Sequence, residues 1–286
     1  MKLALLGCGL LGGSAAAAWR RAGAATAVTG FDRDADAVRR GIALGMIDTA
    51  AGSLAEAVAG ADCVLLATPV GAMPALLGAL APHLRDGAIV TDVGSTKEGI
   101  VDAARAALGA KFARFVPAHP IAGAESHGID NAAAELFDGR WVIVTPAAET
   151  AIDALRRIES AWTDCGAIVE RMEAREHDRI FAAVSHLPHL AAFALVDELA
   201  QRADSDTYFR FAASGFRDFT RIAGSSPEMW RDIALANREA VLAELDAYLA
   251  ALQALRSAVS ADDAEALLAI FSRAREARNN WAHKKP

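Results

Sequence analysis

A glycine-rich run stands near the start of the chain, between a short apolar segment and a stretch with helical spacing. It reads GCGLLG from Gly7 to Gly12 and follows the apolar segment 2–6. Gly7 permits a tight turn, Gly9 lets the backbone approach a bound pyrophosphate, and Gly12 lets the helix pack closely on the strand. In this position the pattern predicts a strand-turn-helix unit that binds a dinucleotide.

An acidic residue supports the same interpretation. Asp32 stands twenty residues beyond the last glycine of this pattern, at the end of a second apolar run. Its carboxylate would accept hydrogen bonds from the adenosine ribose and would repel a 2′-phosphate. The helix that begins at Leu10 and Leu11 would hold the pyrophosphate at its N-terminus. NAD is therefore favoured over NADP, although Arg33 beside the acid is a side chain that can reach a 2′-phosphate.

Further along, strand-like apolar segments alternate with alanine-rich helical stretches. The predicted strands after the first two are 63–67, 88–91, 141–144 and 167–169. This alternation predicts a parallel sheet with helices on both faces. Thr68 and Pro69 either lie at the carboxyl edge of that sheet, where ligands bind in this fold, or form an ordinary turn at the end of a strand.

The second part of the chain has helical periodicity. Apolar residues recur three and four positions apart from Glu228 to about Val259, after a capping Ser226 and a first-turn Pro227. This spacing predicts one long helix. Ser260 followed by Asp263 predicts the start of another.

Two domains are therefore expected. Residues 1–172 would form an α/β Rossmann-type domain that binds the dinucleotide, and residues 173–286 an all-α domain that contributes to substrate binding and dimerisation. A helical region this apolar often needs a second copy to cover it, which favours a homodimer through the C-terminal helices. The alternative is a helical layer packed only on the first domain.

Composition narrows the partners and the compartment. A net charge of −7 argues against nucleic acid as the main partner. No apolar run reaches the about 18 uncharged residues of a membrane-spanning helix. The cysteines are three, far apart and without metal-ligand spacing, which is typical of reduced thiols in a cytoplasmic protein. Lys2 and the apolar stretch after it superficially resemble a signal peptide, but cleavage would remove the glycine-rich run.

Seven histidines are candidates for the proton acceptor that oxidation of an alcohol requires. His119 is favoured, because Pro120 and Gly123 restrain the loop expected around it; the alternative is a loop histidine bonded only to backbone. His177 opens the helical region and could simply be solvated.

Two further histidines and two arginines admit more than one interpretation. His186 and His189 would share a face of a kinked helix; a metal pair is conceivable, but no third ligand is evident, and a core histidine is more frequent. Arg217 and Arg221, beside Asp218, form either a structural ion-pair network or a clamp for a substrate carboxylate.

These segments together closely resemble the prephenate dehydrogenase family, which includes cyclohexadienyl and arogenate dehydrogenases. The matching motifs after the glycine-rich run are DVGSTK at 92–97, HPIAG at 119–123, HD at 177–178, SHLPH at 185–189, GFRDFTRIA at 215–223 and MWRDI at 229–233 with Asn237. Several distant, unusual motifs in the same order are far more specific than the glycine pattern alone.

The resemblance implies oxidative decarboxylation of prephenate to 4-hydroxyphenylpyruvate, with reduction of NAD, in tyrosine biosynthesis. It implies that His119 accepts the hydrogen bond of the substrate C4 hydroxyl, that Ser95 orients this hydroxyl and the nicotinamide, and that Arg221 binds a substrate carboxylate. His189 and Trp230 would line the substrate pocket.

The choice of substrate depends on one or two pocket residues, because prephenate and arogenate differ in a single side chain. A histidine at the position of His189 looks typical of prephenate-accepting members, so prephenate is favoured and arogenate is the alternative. A different class of protein, one that binds NAD without catalysis, would leave the motifs around His119, Ser95 and Arg221 unexplained.

Overall fold

The computed structural model describes residues 1–123 and 127–282, and a six-stranded sheet forms the centre of its first part. The strands are β1 (Lys2–Leu6), β2 (Ala27–Phe31), β3 (Thr49–Ala50), β4 (Cys63–Leu66), β5 (Ile89–Asp92) and β6 (Phe115–Val116). Their order is β3-β2-β1-β4-β5-β6, and every pair is parallel. The strand order reverses between β1 and β4, and ligands bind at the carboxyl ends of the strands beside such a point.

Helices cover both faces of this sheet. They are α1 (Leu10–Arg21), α2 (Ala35–Ala43), α3 (Leu54–Ala59), α4 (Met73–Leu80) and α5 (Glu98–Leu108). Leu3 and Leu5 of β1 belong to one buried apolar cluster, whereas Ala4 and Leu6 belong to another. Successive side chains of a strand point to opposite faces, so the sheet is buried on both sides, and the predicted Rossmann-type domain is confirmed.

A second, three-stranded sheet follows. It consists of β7 (Ala118–Pro120), β8 (Trp141–Val144) and β9 (Ile168–Arg171), and α6 (Ile152–Asp164) connects the last two strands. β7 is antiparallel to β8, and β8 is parallel to β9. The strands expected at 141–144 and 167–169 therefore do not extend the parallel sheet. The prediction that His119 lies in a loop is also wrong, because this residue lies in β7.

Beyond residue 173 the described chain is helical. Its elements are α7 (Ala174–Phe181), a π-helical segment (Ala182–His186), α8 (Leu187–Ala200), α9 (Ser205–Phe211), α10 (Ser214–Thr220), α11 (Pro227–Ala236), α12 (Arg238–Ser260) and α13 (Ala264–Ala282). The single helix expected from Glu228 to Val259 is wrong, because Asn237 separates two helices. Ser260 ends α12 instead of starting a helix, and Asp263 caps α13 by accepting the N–H of Ala266 at 2.9 Å.

The continuous helical run Ala174–Ala200 is the one described segment long and apolar enough, by length and composition, to cross a membrane. Its side chains include His177, Asp178 and His186, all of which are buried and hydrogen-bonded. Buried, paired polar groups of this kind are typical of a helix within a folded globular protein.

The chain forms two compact units, Met1–Arg238 and a second that begins at Glu239. The first contains both sheets and the helices through α11. The second contains nearly all of α12 and the whole of α13. This division by packing differs from the domain boundary expected at residue 172, which remains a prediction.

Candidate active site

A cleft of about 460 Å³ lies at the carboxyl ends of β1, β2 and β4, and we call it the glycine-loop cleft. The predicted cofactor residues that line it are Gly7, Gly9, Asp32, Arg33, Thr68 and Pro69. The other three predicted residues, Leu10, Leu11 and Gly12, form the first turn of α1 and are not among its described lining residues.

Steric contacts explain why Gly7 and Gly12 must be glycines, whereas Gly9 has open space beside its Cα. Gly7 has a φ of +101°, and a Cβ there would lie 2.5 Å from the carbonyl oxygen of Ala67. A Cβ on Gly12 would lie 2.2 Å from the carbonyl oxygen of Gly7, which only a glycine avoids. A Cβ on Gly9 would meet no described atom within 4 Å, so this position faces the cleft.

The carboxylate of Asp32 is held beside the glycine-rich loop. Its Oδ2 accepts the N–H of Cys8 at 2.6 Å, and its Oδ1 accepts the N–H of Asp34 at 2.9 Å. Asp32 therefore has a structural role in the loop as well as a place in the cleft. The neighbouring Arg33 is exposed and lines the same cleft.

The cleft offers donors and acceptors suited to a dinucleotide. The N–H of Gly13 makes the first intrahelical bond of α1, to Gly9 at 2.9 Å, so the preceding N–H groups of the helix have no partner within it. Such groups bind phosphate oxygens well. The Thr68 hydroxyl is buried in the cleft wall without a hydrogen-bond partner among the described residues. These features fit NAD, the predicted cofactor.

A second cleft, of about 860 Å³, lies along β7, the π-helical segment, α8 and α11, and we call it the histidine cleft. Four predicted residues line it, namely His119, His189, Arg221 and Trp230. The structure therefore brings together side chains that lie up to 111 positions apart in the sequence. Ser95 is not among the described lining residues of either cleft; it is partly buried in the loop between β5 and α5.

His119 is the first of a row of hydrogen-bonded side chains that leads into the protein. Its Nδ1 lies 2.8 Å from Nε2 of His177, and Nδ1 of His177 lies 2.8 Å from Oδ1 of Asp178. The ring of Phe181 packs against both imidazoles, with centroid distances of 5.0 and 4.4 Å. His177 is fully buried, so the alternative of a solvated His177 is wrong.

Asp178 is anchored at the N-terminus of α5. Its Oδ1 accepts the N–H of Lys97 at 2.7 Å, and its Oδ2 accepts the N–H of Glu98 at 2.9 Å. The first N–H groups of a helix lack partners and stabilise negative charge. Asn237, at the break between α11 and α12, donates to the main-chain oxygen of Asp178 at 2.7 Å and lies 3.1 Å from Nδ1 of His186.

A buried ion pair fixes the strand that carries His119. The ammonium of Lys97 and the carboxylate of Asp92 are fully buried and in contact. Nζ of Lys97 donates to the carbonyl of Ala118 at 2.8 Å, and Asp92 accepts the N–H of Ala118 at 3.2 Å. Because both main-chain polar groups of the preceding residue are bound, the backbone at His119 is held in place.

Burial keeps the histidines of the site neutral. It holds the pKa of His119 well below its ordinary value, and the neighbouring His177 adds to this effect. Burial also lowers the pKa of His177, although the hydrogen bond to Asp178 opposes the change. The pKa of His186 falls to about 4 for the same reason. A neutral imidazole is the form that can accept a proton.

His189 and Trp230, which also line the histidine cleft, have stacked rings. Nδ1 of His189 donates to the carbonyl of Ser185 at 2.9 Å. Burial lowers the pKa of His189, and the positive charge of Arg221 lowers it further. Arg221 therefore places a positive potential in this part of the cleft.

The motifs also contain Lys97, His177, Asp178 and Asn237, for which the sequence alone indicates no role in the site. Lys97 belongs to a polar group within otherwise apolar sequence, which predicts burial with a partner. Charged residues flank His177 and Asp178 on both sides, so the sequence around them carries no such signal. The bonded residues come from four separate segments, 92–98, 118–119, 177–186 and residue 237, and helical periodicity does not reveal which side chains meet.

The chain matches two models of one family. Residues 15–171 match the model described as prephenate dehydrogenase, nucleotide-binding domain, and residues 173–273 match prephenate dehydrogenase, dimerization domain. Cyclohexadienyl dehydrogenase of Zymomonas mobilis is 36% identical over 278 residues, which cover 96% of this chain and 94% of that protein. Prephenate dehydrogenase of Bacillus subtilis is 36% identical over 280 residues, which cover 96% of this chain and 74% of that protein.

A solved structure is similar over the same extent. The chain aligns with prephenate dehydrogenase from Aquifex aeolicus in complex with hydroxyphenyl propionate and NAD⁺, with a TM-score of 0.92, 35% identity and 98% of each chain covered. The family models, the relatives and this structure agree along nearly the whole sequence, and the chain therefore belongs to the prephenate dehydrogenase family.

Proposed function

We propose that this chain is an NAD-dependent dehydrogenase that converts prephenate to 4-hydroxyphenylpyruvate and CO₂ in tyrosine biosynthesis. The observation that carries the proposal is the convergence of His119, His189, Arg221 and Trp230 on one cleft, in a member of this family. A protein that only sensed NAD would need no such arrangement beside its cofactor domain.

In the proposed reaction the residues of the glycine-loop cleft would hold NAD, which would supply the acceptor for the hydride that leaves C4 of prephenate. Neutral His119 accepts the proton of the C4 hydroxyl, which makes departure of the hydride easier. Loss of the ring carboxylate as CO₂ leaves its electron pair in the ring, which becomes aromatic. The proton held by His119 returns to the phenolate oxygen, so that His119 is neutral again after each turnover.

The other residues bind and orient the substrate. Arg221 holds a substrate carboxylate through its planar guanidinium. Trp230 and the stacked His189 form a flat wall beside the substrate. Ser95 orients the C4 hydroxyl and the nicotinamide; this role rests on the family resemblance alone, because Ser95 is not among the described lining residues of the histidine cleft.

The glycine-loop cleft favours NAD over NADP in this proposal. Asp32 already accepts two main-chain N–H groups, so it is a fixed negative charge at the edge of the cleft. Such a charge accepts hydrogen bonds from the ribose hydroxyls and repels a 2′-phosphate. Arg33 is the feature that favours NADP, because it lines the same cleft and is exposed.

Two observations bear on the choice between prephenate and arogenate. The positive charge of Arg221 acts on His189, and this potential disfavours the ammonium group that arogenate carries. However, Nδ1 of neutral His189 is used by Ser185, which leaves Nε2 as an acceptor that an ammonium would suit. We therefore propose prephenate as the main substrate and arogenate as a second one.

We also propose that the chain acts in the cytoplasm as a homodimer, joined through its C-terminal helices. A match to the dimerization-domain model supports the dimer. So do exposed apolar side chains along α12 and α13, among them Leu249, Leu252, Leu268 and Phe271. Apolar surface of this kind is typical of an interface between copies.

The test follows NADH absorbance while the purified protein is incubated with NAD and either prephenate or arogenate. The proposal predicts rapid NADH formation with prephenate and slower formation with arogenate. Binding of NAD without NADH from either substrate would contradict it and favour a non-catalytic module. A faster reaction with arogenate would reassign the main substrate.

A further inference from the structure

The hydrogen bonds of the row His119, His177 and Asp178 have a fixed direction. A carboxylate only accepts, so Nδ1 of His177 donates to Oδ1 of Asp178 across 2.8 Å. Neutral His177 then has a bare Nε2, which accepts. Nδ1 of His119, 2.8 Å away, must therefore be the donor, and the bare nitrogen of neutral His119 is Nε2.

We propose that His177 and Asp178 are positioning residues, which hold His119 in the one tautomer whose Nε2 can accept the proton of the substrate hydroxyl. This inference rests on the proposed function, because it explains how His119 serves as the base. It adds two residues to the machinery of the reaction and assigns the accepting atom.

The anchoring of Asp178 supports this direction. Both of its oxygens accept main-chain N–H groups at the start of α5, at 2.7 and 2.9 Å. The side chain therefore has little freedom to turn away from His177. Asn237 binds the main-chain oxygen of the same residue, which fixes its backbone as well.

The charges around His119 favour the same outcome. The groups that face it are His177, Lys97 and His186, and the ammonium of Lys97 is paired with Asp92. Each of the three opposes a positive charge on His119 before substrate binds. A proton that later arrives at Nε2 leaves the bond from Nδ1 to His177 intact, so the row need not rearrange during turnover.

Without the row, either nitrogen of His119 could carry the proton. A proton on Nε2 would remove the acceptor from the substrate hydroxyl. The ring would also lose the bond that sets its orientation, and misplacement of a catalytic group by about 1 Å can cost about 100-fold in rate. Substrate contacts made by Arg221 and Trp230 would remain.

The first measurement needs neither substrate nor variant activity. In full-length protein with ¹⁵N-labelled histidine, NMR reports which ring nitrogen carries the proton, and the His119 signals are assigned by their loss in His119→Asn. We expect the proton on Nδ1 and a bare Nε2 at neutral pH. A proton on Nε2 of neutral His119 would overturn the proposal, even if the enzyme is active.

The second measurement compares two variants. His177→Phe keeps an aromatic ring beside Phe181 but offers no acceptor, whereas His177→Gln keeps an oxygen that can accept from Nδ1 of His119. We expect His177→Phe to lower kcat by about 10- to 100-fold, with KM for prephenate and the affinity for NAD nearly unchanged. His177→Gln should recover most of this loss.

Exposed His83 provides the matched control, and His83→Gln should behave as the wild type. An unchanged kcat in His177→Phe would contradict the proposal, as would an equal loss in His177→Gln. If NMR showed the predicted tautomer but the protein did not oxidise prephenate, the proposed function would be contradicted. The direction of the hydrogen bonds in the row would still hold.

Discussion

The imidazole of His189 stacks on the indole of Trp230, with ring centroids 3.6 Å apart and ring planes inclined by 20°. The hydrogen bond from Nδ1 of His189 to Ser185 fixes the imidazole against the indole. Two side chains from different helices therefore form one flat wall of the histidine cleft.

Trp230→Leu tests this wall. Stacked aromatic pairs are worth about 0.5–1.5 kcal/mol, so we expect KM for prephenate to rise by about 2- to 10-fold, with a smaller effect on kcat. Trp230→Phe is the control, because it keeps a ring and removes an indole N–H that has no partner among the described residues. Initial rates at varied prephenate measure both, and an unchanged KM in Trp230→Leu would exclude the wall from binding.

Arg221→Ala should act mainly on substrate affinity. A hydrogen bond to a charged group is worth about 1.5–3 kcal/mol, which corresponds to a rise in KM of about 10- to 100-fold. Because the contact forms before the chemical step, kcat should change much less. Arg217→Ala is the matched control, since Arg217 is exposed and is not among the described lining residues of the cleft. Equal effects of the two substitutions would argue for a structural ion-pair network instead.

Asp32→Ser should change the preference between the two cofactors. Loss of a charged acceptor should lower kcat/KM for NAD by about 10-fold or more, and removal of the negative charge should improve use of NADP. Arg33→Ala in the same background should reverse the gain with NADP, because Arg33 is the one cationic side chain among the described lining residues of the cleft. Steady-state rates with each cofactor check both changes. An unchanged ratio of NAD to NADP use would show that Asp32 does not contact the ribose.

The buried His186 should make the protein less stable in acid. The pKa of His186 is about 4 in the folded protein and 6.5 for an imidazole that is not buried, as in the unfolded chain. Between these pH values the unfolded chain therefore binds more protons than the folded protein. Stability from this residue is complete above pH 6.5 and is lost as pH falls toward 4, by up to about 3 kcal/mol, since one pKa unit corresponds to about 1.4 kcal/mol.

Denaturant unfolding at pH 7 and at pH 4.5 measures this dependence. In His186→Gln the fall in unfolding free energy between the two values should be smaller. It should not vanish, because burial lowers the pKa of His119 and His177 in the same direction. An identical pH dependence in the variant and the wild type would contradict this account of His186.

The parallel sheet was predictable because its strands are short apolar runs that end in turns. β3 was not, since Thr49–Ala50 is two exposed residues without an apolar pattern. The second sheet was missed because only Pro117 separates β6 from β7, so the sequence reads as one segment where the chain leaves one sheet for another.

The helix break at Asn237 could not be predicted from the apolar periodicity of the sequence. Apolar spacing continues across it, and the two helices separate where this side chain bonds to Asp178 and lies near His186. The contacts within the histidine cleft could likewise be predicted only in part from the sequence. Motifs indicated His119, His189, Arg221 and Trp230. However, the bond between His119 and His177 joins residues 58 positions apart, and the bond from Asn237 to Asp178 joins residues 59 positions apart, which spacing alone does not pair.

The central claim is that His119 is the base of a prephenate dehydrogenase, and the most direct measurement is the turnover of His119→Asn with saturating NAD and prephenate. Asparagine has no titrating nitrogen, so we predict a kcat lower by about 100-fold or more. The affinity for NAD should stay close to that of the wild type, because His119 is not among the described residues of the glycine-loop cleft. Wild-type turnover in this variant would contradict the account.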